Sequence, residues 1–271
     1  SVDYSTVFFF FFMLNYFVMK RREMLKKSGA ALLGVSLMGL PSFAQNADNK
    51  KDKSRQRKKL LVIGAHPDDP ESNAGGTIVL MKRAGWDVTC LYMTKGEAGI
   101  QGKSHDESAA IRVEEAKSAC KVLGAKPVFL TQIDGSSEIN KERYAEMKEA
   151  IAKENPDIVI THWPIDSHAD HRVCASLVYD AWRRLGYPFE LYYSESMTGL
   201  QSQFFHPTDY VNISEVADIK RESLYCHKSQ LPDDWYDDWH GGMEKFRGRE
   251  ISCAAAEGFI HLNRAENDIK F

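Results

Sequence analysis

Short apolar runs at residues 60–64, 87–93, 127–130, 157–161 and 189–193 alternate with stretches patterned as helices, and no other feature of the chain constrains its fold as strongly. Leu60-Leu61-Val62-Ile63 and Ile158-Val159-Ile160 lack polar residues at alternate positions, so strands built from them must be covered on both faces. Helical patterns over 72–84, stopped by Gly85, and over 141–153 supply part of the cover. Another helix opens at the capping box Ser104-x-x-Glu107 and stops at Gly124, and one after Ser167 carries Val173, Leu177, Val178 and Ala181 at helical spacing. The expectation is a Rossmann-like α/β fold, a mostly parallel sheet with helices on both faces, forming a single domain over 60–271. The chain has 271 residues, and what remains after the N-terminal segment is set aside suffices for one such domain and hardly for two.

That N-terminal segment carries targeting signals rather than fold. Residues 7–18 contain five consecutive phenylalanines, yet at about a dozen residues the stretch is shorter than the roughly 20 that span a bilayer. A basic region over 20–27, an apolar region over 29–40 and Ser42-Phe43-Ala44 before Gln45 together resemble a bacterial export signal, with Arg21-Arg22 suggesting the twin-arginine type. The expectation is an export signal over 1–44, with Met19 as the true start and 1–18 a spurious leader, then a polar linker over 45–59. Location outside the cytoplasm follows, in the periplasm or secreted, with membrane contact only through an uncleaved signal. An N-terminal membrane anchor is the competing reading.

A formal charge of −3 argues against a nucleic-acid surface, which usually carries a basic excess. The five cysteines are scattered and never form Cys-x-x-Cys, so they are expected to be small hydrophobes rather than zinc ligands or a disulfide framework.

Open parallel sheets bind ligands beyond the carboxyl ends of their strands, and three unusual loops leave such ends, at 66–71, 94–102 and 162–171. The first, His66-Pro67-Asp68-Asp69-Pro70-Glu71, places one imidazole and three carboxylates within six residues. Pro67 holds His66 extended, and the side chains of Asp68 and Asp69 should diverge at the turn, one toward a metal and one toward a substrate. Helix capping, with Asp69 as N-cap and Pro70 as the first helical residue, leaves His66, Asp68 and Glu71 together unexplained. Gly96, Gly99 and Gly102 lack the Lys-Ser/Thr of a phosphate-binding loop and read either as a mobile wall or as an ordinary glycine-rich loop. In His168-Ala169-Asp170-His171 the two histidines share a helix face, although Ser167-x-x-Asp170 also fits an ordinary capping box. Both motifs at strand ends of one sheet favour a metal site, and two histidines with one carboxylate suit catalytic zinc with a position open for water.

Ala65-His66-Pro67-Asp68-Asp69-x-Glu71 with His168-x-Asp170-His171 resembles the PIG-L or LmbE-like family of metal-dependent de-N-acetylases. Arg112-x-x-Glu115, Pro156-Asp157 and His227-Lys228-Ser229-Gln230 add support, and the similarity extends over most of residues 58–260. The resemblance implies that His66, Asp69 and His171 hold Zn2+, and that Asp68 is the general base for the attacking water. It further implies that protonated His168 stabilises the oxyanion, that Asp170 orients His168 or His171, and that Arg112 contacts the substrate. The substrate would be a small N-acetylglucosamine-like conjugate. An ion pair with a nearby carboxylate is the other reading of Arg112, and structural support is the reading of Glu71. His162 and Trp163 lie near the expected pocket, in core or contact roles. The acid-and-ring segment Asp233 to His240 is either a carbohydrate-stacking loop or an aromatic loop packed on the domain. A zinc hydrolase of another amide or ester, and a noncatalytic sugar- or metal-binding protein, are the alternative functions.

Overall fold

Among the described residues, seven strands form one sheet: β1 (Lys59–Gly64), β2 (Asp87–Tyr92), β3 (Lys126–Phe129), β4 (Ile158–His162), β5 (Glu190–Ser194), β6 (Asp209–Asn212) and β7 (Ala256–His261). Their spatial order is β3-β2-β1-β4-β5-β7-β6. The first five run parallel, whereas β7 pairs antiparallel with both β5 and β6. The computed structural model describes residues 57–262. The expected leader, export signal and most of the linker therefore lie outside the described residues.

Six helices connect the strands: α1 (Asp69–Arg83), α2 (His105–Leu123), α3 (Lys141–Glu154), α4 (Ala169–Arg184), α5 (Ala217–Leu224) and α6 (His240–Glu250). The apolar runs explain the layering. Leu61 and Ile63 of β1 point into a core closed by Met147 and Ile151 of α3 and by Cys174, Leu177 and Val178 of α4. Their neighbours Leu60 and Val62 point the other way, toward Ile78 of α1 and Ala116 and Cys120 of α2. Both faces are thus covered, and a continuous hydrophobic run is what such a strand requires. The expected Rossmann-like sheet with helices on both faces is found. Of the cysteines, Cys90, Cys120 and Cys174 are buried, Cys226 and Cys253 half-buried, and all are free thiols.

The windings reverse between β1 and β4, which lie side by side with Ile63 opposite Thr161. That is the topological switch point, where a crevice opens at the strand carboxyl ends. The C-terminal strands and helices add to this frame from outside it. In α1 the backbone leaves helical geometry at Ala74 (φ −145°). The amides freed beyond the break, Gly76 N–H and Thr77 N–H, donate to the Glu257 carboxylate of β7 at 2.9 and 2.8 Å. Lys220 of α5 neutralises that buried carboxylate at 2.8 Å and also meets Glu244 of α6 at 3.0 Å.

Candidate active site

The site begins where β1 turns into α1. At Gly64 a Cβ would stand 2.5 Å from the Asp69 Cβ, so the absent side chain is what lets the turn fold back on the strand. Asp68, not Asp69, is the N-cap of α1, and it makes no side-chain capping bond. Its φ of 112° lies in a region that side-chain-bearing residues rarely occupy. The capping role expected for Asp69 is therefore corrected: Asp69 is the first helical residue, and its Oδ2 accepts the His66 N–H at 2.7 Å. The two carboxylates diverge as expected. That of Asp69 turns inward among imidazoles, and that of Asp68 turns toward Arg112.

Asp69 sits between the other two expected metal ligands. Its carboxylate lies 3.3 Å from His66 Nδ1 and 3.4 Å from His171 Nε2. The second nitrogen of each ring is backed by carboxylates. His66 Nε2 lies 3.1 Å from both Asp134 and Asp170, and His171 Nδ1 lies 3.2 Å from Asp166. Ligating histidines need this arrangement, in which an outer carboxylate fixes the ring while the inner nitrogen stays available. The residues therefore fit a divalent ion. Ligand atoms of His66, His168 and His171, of Asp69, His162 and His171, and of His66, Asp134 and Asp170 form three sets, each within 4.8 Å. The first set shares His171 with the second and His66 with the third.

The charges follow the geometry. Burial works against a charged His66, but hydrogen bonds with Asp134, Asp170 and Asp69 raise it well above the usual imidazole range. Burial likewise opposes charge on His171, yet Asp69 and Asp166 raise it to about 9. Asp69 is held well below the carboxylate range because His162 and His171 outweigh its burial. Asp170, despite partial burial, is lowered to about 2 by its bonds to His66 and to Gly135 N–H. Burial lifts Asp68 above the ordinary range although the Arg112 guanidinium pulls it down.

Two expected roles change. The Asp170 carboxylate touches neither His168 nor His171; it accepts Gly135 N–H at 2.8 Å and lies against His66. It orients His66, and Asp166 takes the place expected for it at His171. His168 is the N-cap of α4, its Nδ1 accepting Asp170 N–H at 3.2 Å, which corrects the Ser167-x-x-Asp170 capping box. Burial and the charges of His66 and His171 lower His168 from the ordinary imidazole value, which runs against the protonated ring expected there. With Nδ1 accepting, the proton resides on Nε2, which leaves one donor.

Arg112 is buried, and its guanidinium donates to Pro67 O and to Asp68 Oδ2, the latter at 2.9 Å. It pairs with a carboxylate, as the ion-pair reading expected, and it also lines the cavity. Gly96 and Gly99 are not simply a mobile wall. A Cβ at Gly99 would stand 2.3 Å from the Arg112 guanidinium, so the glycines leave room for that side chain to pass. Glu115, one turn beyond Arg112, accepts Ser229 N–H and Ser229 Oγ, both at 2.7 Å, which ties the His227–Gln230 motif to α2. Glu71 is fully buried and accepts the Tyr92 hydroxyl at 2.6 Å, a structural place. His162 is also fully buried, stacked on His171 with ring centroids 3.9 Å apart. Trp163 packs edge-on against Tyr193 and Phe205.

Asp134 and Asp166 had no expected role. Both lie just beyond strand carboxyl ends, and Asp134-Gly135 after the third strand met the placement criterion that singled out the other three loops. His66, Asp68, Asp69, Arg112, Asp134, His168 and His171 line a cavity of about 530 Å³, whose lining also includes Trp235, Trp239 and His240.

Residues 61–182 match the model of the PIG-L family, described as GlcNAc-PI de-N-acetylase. A diacetylchitobiose deacetylase of Thermococcus kodakarensis is 33% identical over 231 residues, covering 76% of this chain and 86% of that protein. A probable N-acetyl-α-D-glucosaminyl L-malate deacetylase of Bacillus cereus is 34% identical over 184 residues, covering 63% and 83%. The solved N,N'-diacetylchitobiose deacetylase of Pyrococcus horikoshii superposes with a TM-score of 0.67 at 27% identity, covering 76% of this chain and 84% of that one.

Proposed function

This chain belongs to the PIG-L family, and from that premise we propose that it hydrolyses the N-acetyl amide of an N-acetylglucosamine-like conjugate with the help of a bound zinc ion. The divergence of Asp68 and Asp69 carries the reading: adjacent carboxylates are split between a metal-ligand position and a cavity-facing position. Both curated relatives named above are deacetylases of N-acetylglucosamine-containing molecules, which supports the same substrate class.

His66, Asp69 and His171 would hold the ion, which when bound polarises the amide carbonyl and acidifies a water. Asp68 takes the proton of the attacking water, and its raised affinity for protons suits it as base and then as acid toward the leaving amine. Its strained backbone and Arg112 keep the carboxylate on the cavity side. His168 donates from Nε2 to the developing oxyanion, as a neutral donor rather than a cation. Asp134 and Asp170 hold the His66 ring, and Asp166 holds that of His171.

The direct test is acetate release from diacetylchitobiose by the zinc-loaded protein, with and without a chelator. Release that is lost with chelator and restored by zinc is expected. Undiminished release in the zinc-stripped protein would remove the metal from the reaction, and no release at all would overturn the assignment of this amide as substrate.

A further inference from the structure

Part of the cavity lining is aromatic, with Trp235 and Trp239 beside His240, and the chemistry above gives it no task. Trp235 and Trp239 both line it, with ring centroids 6.5 Å apart and planes inclined by 24°. They are held from behind. Trp235 Nε1 donates to Gln230 O at 2.7 Å, and Gln230 Nε2 donates to Gly99 O at 3.2 Å, joining this segment to the loop that passes over Arg112. Tyr236, between the tryptophans in sequence, is buried at 3% exposure and anchors the segment. Leu231 adopts a φ of 53°, a conformation that a bulky residue rarely takes without constraint. Trp239 nevertheless leaves 47% of its surface open to solvent, an arrangement that folding alone does not favour.

The charges around this wall narrow what it can receive. Arg112 is the only lysine or arginine lining the cavity among the described residues, and its Nη2 is engaged by Pro67 O and Asp68 Oδ2. Asp233, Asp234, Asp237 and Asp238 surround the tryptophans in sequence and are exposed. Asp237 lies 3.7 Å from Arg221, so a phosphate or carboxylate beside the tryptophans would meet four exposed carboxylates against that one guanidinium. A neutral pyranose ring presents one face of C–H bonds to an indole and a rim of hydroxyls to carboxylates and amides.

Resting on the deacetylase reading, we propose that Trp235 and Trp239 form a stacking subsite for an uncharged sugar ring joined to the acetylated one. The preferred substrate is then a neutral oligosaccharide, and conjugates with an anionic group at that position are disfavoured.

The test compares acetate release by the zinc-loaded enzyme from N-acetylglucosamine, its β-1,4-linked dimer and N-acetylglucosamine 1-phosphate. The dimer should exceed the monomer in kcat/KM, and the phosphate should be poorest. Trp239→Ala should lower the dimer-to-monomer ratio roughly tenfold, with Trp239→Phe retaining most of it. Equal losses on monomer and dimer in Trp239→Ala, or turnover of the phosphate as fast as the dimer, would overturn the subsite. If the wild-type protein releases acetate from none of these, the reaction is misassigned, and indole fluorescence then decides on the subsite. Quenching by the dimer in wild type, lost in Trp239→Ala, supports it, and no quenching overturns it.

Discussion

Asp68 and Asp69 are adjacent in sequence and differ in every physical respect that matters. Asp69 is compressed between imidazoles and held ionised, whereas Asp68 has a raised proton affinity and a strained backbone. Asp68→Asn should therefore keep zinc, measured by metal analysis of the purified protein, while kcat for acetate release falls by about 10²–10⁴-fold. Retained turnover would mean the base lies elsewhere. The His171 imidazole yields a second outcome at this scale. Its folded value of about 9 exceeds the ordinary 6.5, so in the metal-free protein its stabilising contribution is complete below pH 6.5 and is lost as pH rises through 9. Thermal melts of the zinc-free protein should show Tm falling across that window, with His171→Gln flattening the slope. Which residues gather around the cavity was largely legible in the sequence, because paired motifs at strand ends mark a site directly. Their partners were less so. Asp134 contributes a lone carboxylate from a loop with no second unusual residue, and only the fold brings it to 3.1 Å from His66.

At the level of elements, α1 joins the site to the rest of the sheet. Its first turn carries Asp69 and Glu71, then the helix breaks at Ala74, and the second segment is capped by a carboxylate from β7. Glu257→Ala removes three hydrogen bonds and leaves Lys220 buried beside Glu244 alone, so a loss of about 3–5 kcal/mol is expected in denaturant melts. Glu257→Gln should recover part of it by preserving an acceptor for the helix amides. Gly99→Ala tests a different contact: its Cβ would displace Arg112, so activity should fall more than stability, read as kcat/KM against Tm. The parallel strands and their helices were legible because each carries a complete local pattern. β6 and β7 were not. Asp-Tyr-Val-Asn is a four-residue strand at the sheet edge, β7 is interrupted by Gly258, and both are defined by pairing rather than by periodicity. The start of α1 was misplaced for a related reason, since its opening residues are chosen for chemistry and not for helix formation.

For the molecule as a whole, the expected fold is present and the N-terminal reading awaits its own experiment. We propose that the chain is exported and cleaved, in which case N-terminal sequencing of the mature protein should begin near Gln45. Retention of residues before Met19 would refute the leader reading. The bonds between α1 and Glu257 also set an order in time. They join residues 181 positions apart, so the helix that presents Asp69 finishes folding only when the last strand has left the ribosome. On the proposed export reading, the N-terminal signal emerges before the strand that completes the helix carrying Asp69.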